Sequence, residues 1–395
     1  MGHFSAIPPG KTIGILGGGQ LGRMFAIAAR RMGYRVHALD PEPDGPTGQV
    51  ADVEWSAPYD DVDTARALAR QVDVVTFEFE NIPYETLQAV AELVPVHPGP
   101  LVLDTTRHRL REKTFLSTHG FPVARHRAVS SLDELHEAIK ALGTPAILKT
   151  ATFGYDGKGQ SKILRPEDAP IAWEALGQAL GGTIRAQGGV LEAFVPFTRE
   201  LSVVVARAIG GQLRCFEVAE NTHVDHILDL SVVPANINAE TRAAATGLAI
   251  AIAKALDLVG ILAVELFHVE DGTPTGKLIV NELAPRPHNS GHFSVDACLT
   301  SQFEQQLRAV CHLPLGDVSL LRPAAMVNLL GELWQDGPPD WSSALSDPGV
   351  KLHVYGKTEA RKGRKMGHLT VLADTADEAS ARALAARAHL TPSRP

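Results

Sequence analysis

Lys149-Thr150-Ala151-Thr152-Phe153-Gly154-Tyr155-Asp156-Gly157-Lys158-Gly159-Gln160 is the stretch on which the reading of this chain turns. It joins two strand-like runs, Pro145-Ala146-Ile147-Leu148 and Ser161-Lys162-Ile163-Leu164, and so reads as the tip of a hairpin. Gly154, Gly157 and Gly159 let backbone N–H groups approach phosphate oxygens, while Lys149 and Lys158 add point charge. A loop of this make-up suits the covering of a polyphosphate. Tyr155 and Asp156 within it imply that a second molecule is handled beside the first.

A helix over Leu132 to Leu142 precedes the hairpin, and another helical stretch lies near Ile171 to Leu180. Strands at Val190–Val195 and Leu201–Ala208 follow, which gives a small α+β module inserted into a larger one. Two further strands, Ile261–Val269 and Leu278–Leu283, flank the turn Asp271-Gly272. Glu265 and Glu282 lie on these strands within apolar surroundings. Carboxylates on a shared face of antiparallel neighbours can hold Mg²⁺ between them, with Asn281 as a further oxygen donor. A buried, unpaired carboxylate is costly, and a cation is the natural remedy.

Directly after that strand comes Ala284-Pro285-Arg286-Pro287-His288-Asn289-Ser290-Gly291-His292. Arg286 and His288 suit a phosphate or a developing anion, and Asn289 and Ser290 offer neutral hydrogen bonds. Zinc is disfavoured because no cysteine or third clear ligand accompanies the histidines, and His292 has no assigned role. Further on, Lys357 and Arg361-Lys362-Gly363-Arg364-Lys365 form the densest basic patch, suited to an anion through Lys357, Arg364 and Lys365. His223 and His226 read as residues of an exposed loop.

The first 110 residues or so alternate strands with helices, which predicts a parallel sheet covered on both faces. Gly17, Gly19 and Gly22 have G-x-G-x-x-G spacing after a strand, and Asp40 ends the next strand. That pattern alone would suit an NAD-dependent dehydrogenase. The preferred reading is a phosphate-bearing substrate held by the turn amides, with Gln20 as an added donor. Glu78 and Glu80 alternate at the carboxyl end of another parallel strand, where ligands gather, and one of them is expected to face the cleft.

Composition narrows the class. The chain has 395 residues, 45% apolar and 21% charged, with a formal net charge of −8, so nucleic acid is not the expected partner. Three cysteines, an odd and sparse count, fit a reducing cytoplasm better than a disulfide framework. The first residues begin no long apolar segment, so neither a signal peptide nor a membrane span is expected.

The phosphate-covering hairpin, the inserted module and the paired carboxylates together resemble the ATP-grasp superfamily. Three more stretches, Gly17-Gly18-Gly19-Gln20-Leu21-Gly22-Arg23-Met24, Pro285 to His292 and Lys357 to His368, make the chain similar to the N5-carboxyaminoimidazole ribonucleotide synthase family. The likeness runs from about residue 12 to about residue 385. It implies an α/β and α+β, ATP-grasp architecture: a Rossmann-like domain over 1–112, an ATP-grasp domain over 113–322 with a lid at about 146–208, and a β-rich C-terminal domain over 323–395. It further implies ATP, bicarbonate and 5-aminoimidazole ribonucleotide as substrates, with ADP and phosphate released by way of carboxyphosphate and CO₂. Mg²⁺, a cytoplasmic homodimer and a mutase-type enzyme taking the product complete the picture.

Residue by residue, the resemblance places Arg109, Lys149, Gly154 to Gln160, Glu192-Ala193-Phe194-Val195, Glu200, His223, Asn281 and Glu282 around ATP. Glu200 would face the ribose, and Glu265 with Glu282 would carry the metal. Gln20, Leu21, Glu78 or Glu80, Tyr155, Asp156, Lys158, Arg286, His288, Asn289, Ser290, Lys357, Arg364 and Lys365 would hold the aminoimidazole ribonucleotide. Among these, Asp156, Tyr155, Arg286, His288 and Lys357 would act in catalysis. A formate-using ATP-grasp transferase is the nearest rival, and a non-catalytic ATP-binding protein a further one.

Overall fold

Ile13 and Ile15 pack on one side of their strand and Leu16 on the other, so the strand Thr12–Leu16 is buried from Ile13 onward because both its faces are covered. The computed structural model, which describes residues 5–152, 159–179 and 188–390, places it inside a four-stranded parallel sheet. The order is Val53–Ser56, Arg35–Asp40, Thr12–Leu16, Val74–Phe77. Helix Gln20–Arg31 covers one face together with Gln302–Val310, which returns from far along the chain to place Phe303 and Leu307 in the same core.

The centre of the molecule is a nine-stranded sheet, antiparallel throughout. Its path runs Lys277–Ala284, Gly260–Val269, Arg199–Arg207, Ala219–Val224, Ile227–Val233, Ala324–Leu330, Lys365–Leu372, Val350–Val354, with Leu213–Cys215 paired to Arg199–Arg207. Period-two alternation sends Leu201, Val203 and Val205 under helix Ala239–Ala255, while Val204 and Ala206 join the core on the opposite face.

A separate four-stranded antiparallel sheet has the order His126–Val129, Gly189–Ala193, Ala146–Thr150, Gln160–Ile163. Helices Leu132–Leu142 and Ala169–Ala179 cover the face that carries Ala146, Leu148 and Leu191. By alternation Lys149 and Glu192 lie on the other face, and their contacts with the central sheet are described below.

Two expected boundaries shift. This smaller module begins at the strand His126–Val129 and ends with Gly189–Ala193, rather than spanning about 146–208. Arg199–Arg207 belongs to the central sheet, as its run of residues buried on both faces requires. The C-terminal strands extend the central sheet, because Ala324–Leu330 pairs with Ile227–Val233. Among the described residues no helix is long and apolar enough to cross a membrane.

Candidate active site

Glu265 and Glu282 stand directly opposite one another in the antiparallel register of their two strands. The next pair is Leu266 with Val280, which leaves Asn281 as the extra residue of a β-bulge. A bulge re-aims side chains locally. Here Val280 and Leu283 stay in the core, while the Asn281 side chain approaches Lys149, Oδ1 to Nζ 3.5 Å.

Helix Arg109–Thr118 runs beneath this hairpin and carries Arg109, Glu112 and Lys113 at positions i, i+3 and i+4, hence on one face. Arg109 Nη1 lies 3.2 Å from Glu282 Oε2. Lys113 Nζ donates to the Asn281 carbonyl at 2.9 Å and lies 3.4 Å from Glu192 Oε2. Lys149 Nζ reaches the same Glu192 oxygen at 3.1 Å. Burial would raise the Glu192 carboxyl, but Lys113, Lys149 and Arg109 outweigh it and hold it down at about 2. Burial pushes the Lys149 ammonium down, against the pull of Glu192. Glu112 accepts the Leu283 N–H at 2.9 Å, and burial raises it to about 8, so it carries little charge at neutral pH. Arg109, Lys113 and Lys149 thus converge beside Glu192 and Glu282. A cluster of three basic side chains at one edge of the hairpin suits a polyphosphate.

Glu200 and His223 meet at 2.8 Å, oxygen to Nδ1, on adjacent strands. His223 therefore lies on the strand Ala219–Val224 and not in an exposed loop. Burial lowers its imidazole, but Glu200 outweighs burial and holds it above the ordinary value. His226 is exposed at the turn between that strand and Ile227–Val233, where Asp225 and His226 both take positive φ, +48° and +66°. Gln160 Nε2 lies 3.1 Å from His226 Nδ1, which joins the base of the glycine hairpin to this turn.

His288 Nε2 contacts Glu265 Oε1 at 3.0 Å, and its Nδ1 lies 2.9 Å from Ser290 Oγ. Burial would raise the Glu265 carboxyl; His288 first, then His223 and Lys365, hold it well below the usual range. Arg286 Nη2 pairs with Glu80 Oε1 at 2.5 Å. The Asn289 and Ser290 side chains are engaged inward. Asn289 exchanges amide hydrogen bonds with Asn328 at 3.1 and 2.7 Å, and Ser290 Oγ accepts from Ser202 at 2.8 Å.

The glycine turn differs from expectation. Glu78 accepts the Gly19 N–H at 2.8 Å and the Gly22 N–H at 3.2 Å, while Asp40 accepts Gly18 N–H at 2.6 Å and the Tyr59 hydroxyl. A Cβ added at Gly19 would stand 2.8 Å from Glu78 Oε1, so the glycine makes room for this carboxylate. Those three amides are therefore taken by side chains of the same domain and are not offered to a phosphate or a dinucleotide. Leu21 buries its side chain in the domain core, leaving only its backbone for a ligand. Gln20 is half-buried at the start of the helix.

Lys365 opens the strand Lys365–Leu372, near enough to Glu265 and His223 to shift both. Arg364 donates to the Glu359 carbonyl at 3.0 Å, and Lys357 Nζ lies 5.8 Å from the Tyr355 ring centre. Just before Lys357, the Gly356 carbonyl accepts from Gln49 Nε2 at 2.9 Å, and Gln49 is itself held by Arg23. Ala193 and Phe194 anchor the module end through N–H bonds to the Arg125 and Pro145 carbonyls, and Val195 accepts from Phe197 N–H. Gly154, Tyr155, Asp156, Gly157 and Lys158 lie outside the described residues.

Family models match the chain in three blocks: a ribonucleotide synthetase preATP-grasp domain over 10–107, an ATP-grasp domain over 114–303, and a phosphoribosylaminoimidazole carboxylase C-terminal domain over 324–382. The N5-carboxyaminoimidazole ribonucleotide synthase of Bacillus subtilis (strain 168) is 46% identical over 375 residues, 94% of each chain. The enzyme of the same name from Brucella melitensis is 44% identical over 93% of this chain and 97% of its own. A crystal structure of an N5-carboxyaminoimidazole ribonucleotide synthetase with ADP matches with TM-score 0.88 at 45% identity, covering 97% of this chain and 98% of the other. The Aspergillus clavatus enzyme in complex with ADP and 5-aminoimidazole ribonucleotide matches with TM-score 0.86 at 31% identity, covering 96% and 98%.

The chain belongs to the N5-carboxyaminoimidazole ribonucleotide synthase family. It is an ATP-grasp ligase of purine biosynthesis. Members of this superfamily use Mg²⁺ with ATP, and the donor set here fits that ion. Glu265 and Glu282 offer carboxylate oxygens from facing strand positions, as a hard cation requires, and Mg²⁺ takes few protein ligands because phosphates and water supply the rest. Among the described residues no group of three or more His, Cys, Asp or Glu could hold a metal ion. The sequence marks Arg107 to Lys113 as a basic cluster on a boundary helix but gives Glu112 and Lys113 no role of their own. Their spacing from Arg109 was the available signal, since all three charges share one helix face.

Proposed function

We infer that this protein catalyses the ATP- and bicarbonate-dependent carboxylation of 5-aminoimidazole ribonucleotide to the N5-carboxyamino product. The reading rests on one observation above others: Glu265 and Glu282 face each other in register while Arg109, Lys113 and Lys149 converge on the same hairpin. Bound ATP and Mg²⁺ would supply a phosphoryl group, with its charge compensated, to activate bicarbonate as carboxyphosphate.

The chain's own residues would do the remainder. Arg109 and Lys149 offset charge moving through the phosphates, and being fixed by Glu282 and Glu192 they need little reorganisation. Glu200, with His223 behind it, offers a carboxylate to the ribose hydroxyls. Arg286, steadied by Glu80, and His288, steadied by Ser290, present donors toward the carboxyl group being transferred. Lys357, Arg364 and Lys365 hold the phosphate of the ribonucleotide. Asp156 orients the attacking amine and takes its proton, with Tyr155 beside it. Closure of the glycine hairpin retains CO₂ and keeps out water. The same reading places the enzyme in the cytoplasm as a homodimer that passes its product to a mutase-type enzyme.

The test is a coupled assay of ADP formation with the ribonucleotide and bicarbonate omitted in turn. ADP release that requires both supports the reading. Release that requires formate and glycinamide ribonucleotide instead would overturn it. Asp156→Ala should retain ADP binding in calorimetry while abolishing carboxylation, and near-normal turnover would remove Asp156 from the mechanism.

A further inference from the structure

Lys113 is the most enclosed cation of the cleft, with 2% of its side chain exposed. Its ammonium touches two groups: the carbonyl of the bulged Asn281 at 2.9 Å and Glu192 Oε2 at 3.4 Å. Glu192 is buried as well, and its other oxygen, Oε1, has no hydrogen-bond partner among the described residues. The carboxylate's ion pairs are therefore with the two lysines that share Oε2, and Arg109 adds to their pull. Lys149, the second of these at 3.1 Å, is also the lysine at the mouth of the glycine hairpin.

Lys149 thus faces two demands, the carboxylate behind it and the phosphates in front. Were it the sole counter-ion of Glu192, its movement toward a phosphate would strand a buried negative charge, which is strongly unfavourable. Lys113 changes that balance. It is fixed to a backbone carbonyl, cannot reach solvent, and stays beside Glu192 whatever Lys149 does.

We propose that Lys113 is a positioning residue for nucleotide binding: it stands as the permanent counter-ion of Glu192, releasing Lys149 to the nucleoside polyphosphate, and its bond to the Asn281 carbonyl secures the bulge. This rests on reading the cleft as the ATP site, and it assigns a role to a residue that would touch no substrate. The electrostatic part can be separated from the scaffolding part, because only the former disappears when Glu192 loses its charge.

The experiment is a calorimetric titration of Mg-ADP into wild type, Lys113→Met, Glu192→Gln and the double variant. Lys113→Met should weaken binding about tenfold or more, whereas in the Glu192→Gln background the same change should cost no more than about threefold, a coupling of the size adjacent charges show. Wild-type affinity in Lys113→Met, or an equal loss in both backgrounds, overturns the proposal. If Lys113→Met does not fold, the double variant against Glu192→Gln decides: similar affinities uphold the counter-ion role, and a large further loss or an unfolded double variant overturns it. A wild type that fails to bind ADP would instead overturn the reading of the site itself.

Discussion

The glycine turn Gly17–Gly22 and the hairpin bearing Glu265 and Glu282 look like two anion-handling sites in sequence, yet the structure resolves them in opposite ways. At the turn, Glu78 and Asp40 occupy the amides, so the local positive field is satisfied from within. At the hairpin, Arg109, Lys113 and Lys149 gather beside the carboxylates instead of acids closing on free amides, which leaves basic groups for a ligand to share. What separates them is the sign of the groups brought in from distant sequence: acids 22 and 59 residues away for the turn, bases on helix Arg109–Thr118 and strand Ala146–Thr150 for the hairpin. A phosphate-binding motif is only as open as its tertiary neighbours leave it.

The largest effect should come from the hairpin. Glu282→Ala should lower kcat by about 10²–10³-fold and remove the magnesium dependence of ADP affinity, since one preorganised charge at a phosphoryl-transfer site has about that weight. Unchanged affinity across a magnesium titration would deny it a ligand role.

Next in size, Glu78→Ala should cost about 2–3 kcal/mol in denaturant unfolding by leaving the Gly19 and Gly22 N–H groups without acceptors. Mg-ADP affinity should be retained. A loss confined to ADP binding, with stability intact, would erase the contrast between the two regions.

Glu78 also gives a pH signature. Burial raises its carboxyl to about 6 against the two N–H bonds and Arg286, from an ordinary value of 4.5. The folded state then holds the proton more tightly than the unfolded one. Its contribution is fully present below about pH 4.5 and is lost as pH rises through 6, amounting to about 2 kcal/mol. The stability difference between wild type and Glu78→Gln should shift against wild type across that window; a flat difference would contradict the assignment.

The smallest effect should be at Gln49. Gln49→Ala removes one hydrogen bond to the Gly356 carbonyl, about 1 kcal/mol, and should raise KM for the ribonucleotide several-fold without changing KM for ATP. A shift in the ATP constant alone would place the Gly356–Lys357 loop elsewhere in function.

Much of the fold was legible because burial on both faces leaves a plain mark. Thr12–Leu16 and Gly260–Val269 are apolar runs, and a glutamate inside the second stands out. The Asn281 bulge was not legible, since a register shift depends on the partner strand rather than on local residue type. Strands Ala219–Val224 and Ile227–Val233 were missed because they carry polar residues, and Asp225-His226 joins them where a glycine pair is usual. His223 was lost with them. Lys113 sits in Arg109–Thr118, a helix with no clear apolar stripe, and its importance appears only once Asn281 and Glu192 are beside it. At the glycine turn the spacing correctly gave strand, turn and helix, but it carried no sign that Glu78 would be the anion.

The pairing of Ala324–Leu330 with Ile227–Val233 has a practical corollary. A truncation near residue 322, drawn as though the last stretch were a detachable unit, would uncover a row of hydrogen-bonding groups along Ile227–Val233 and strip the cover from Leu230 and Val232. Bare edges of that kind recruit other chains. Such a fragment should precipitate on expression, whatever its capacity to bind nucleotide.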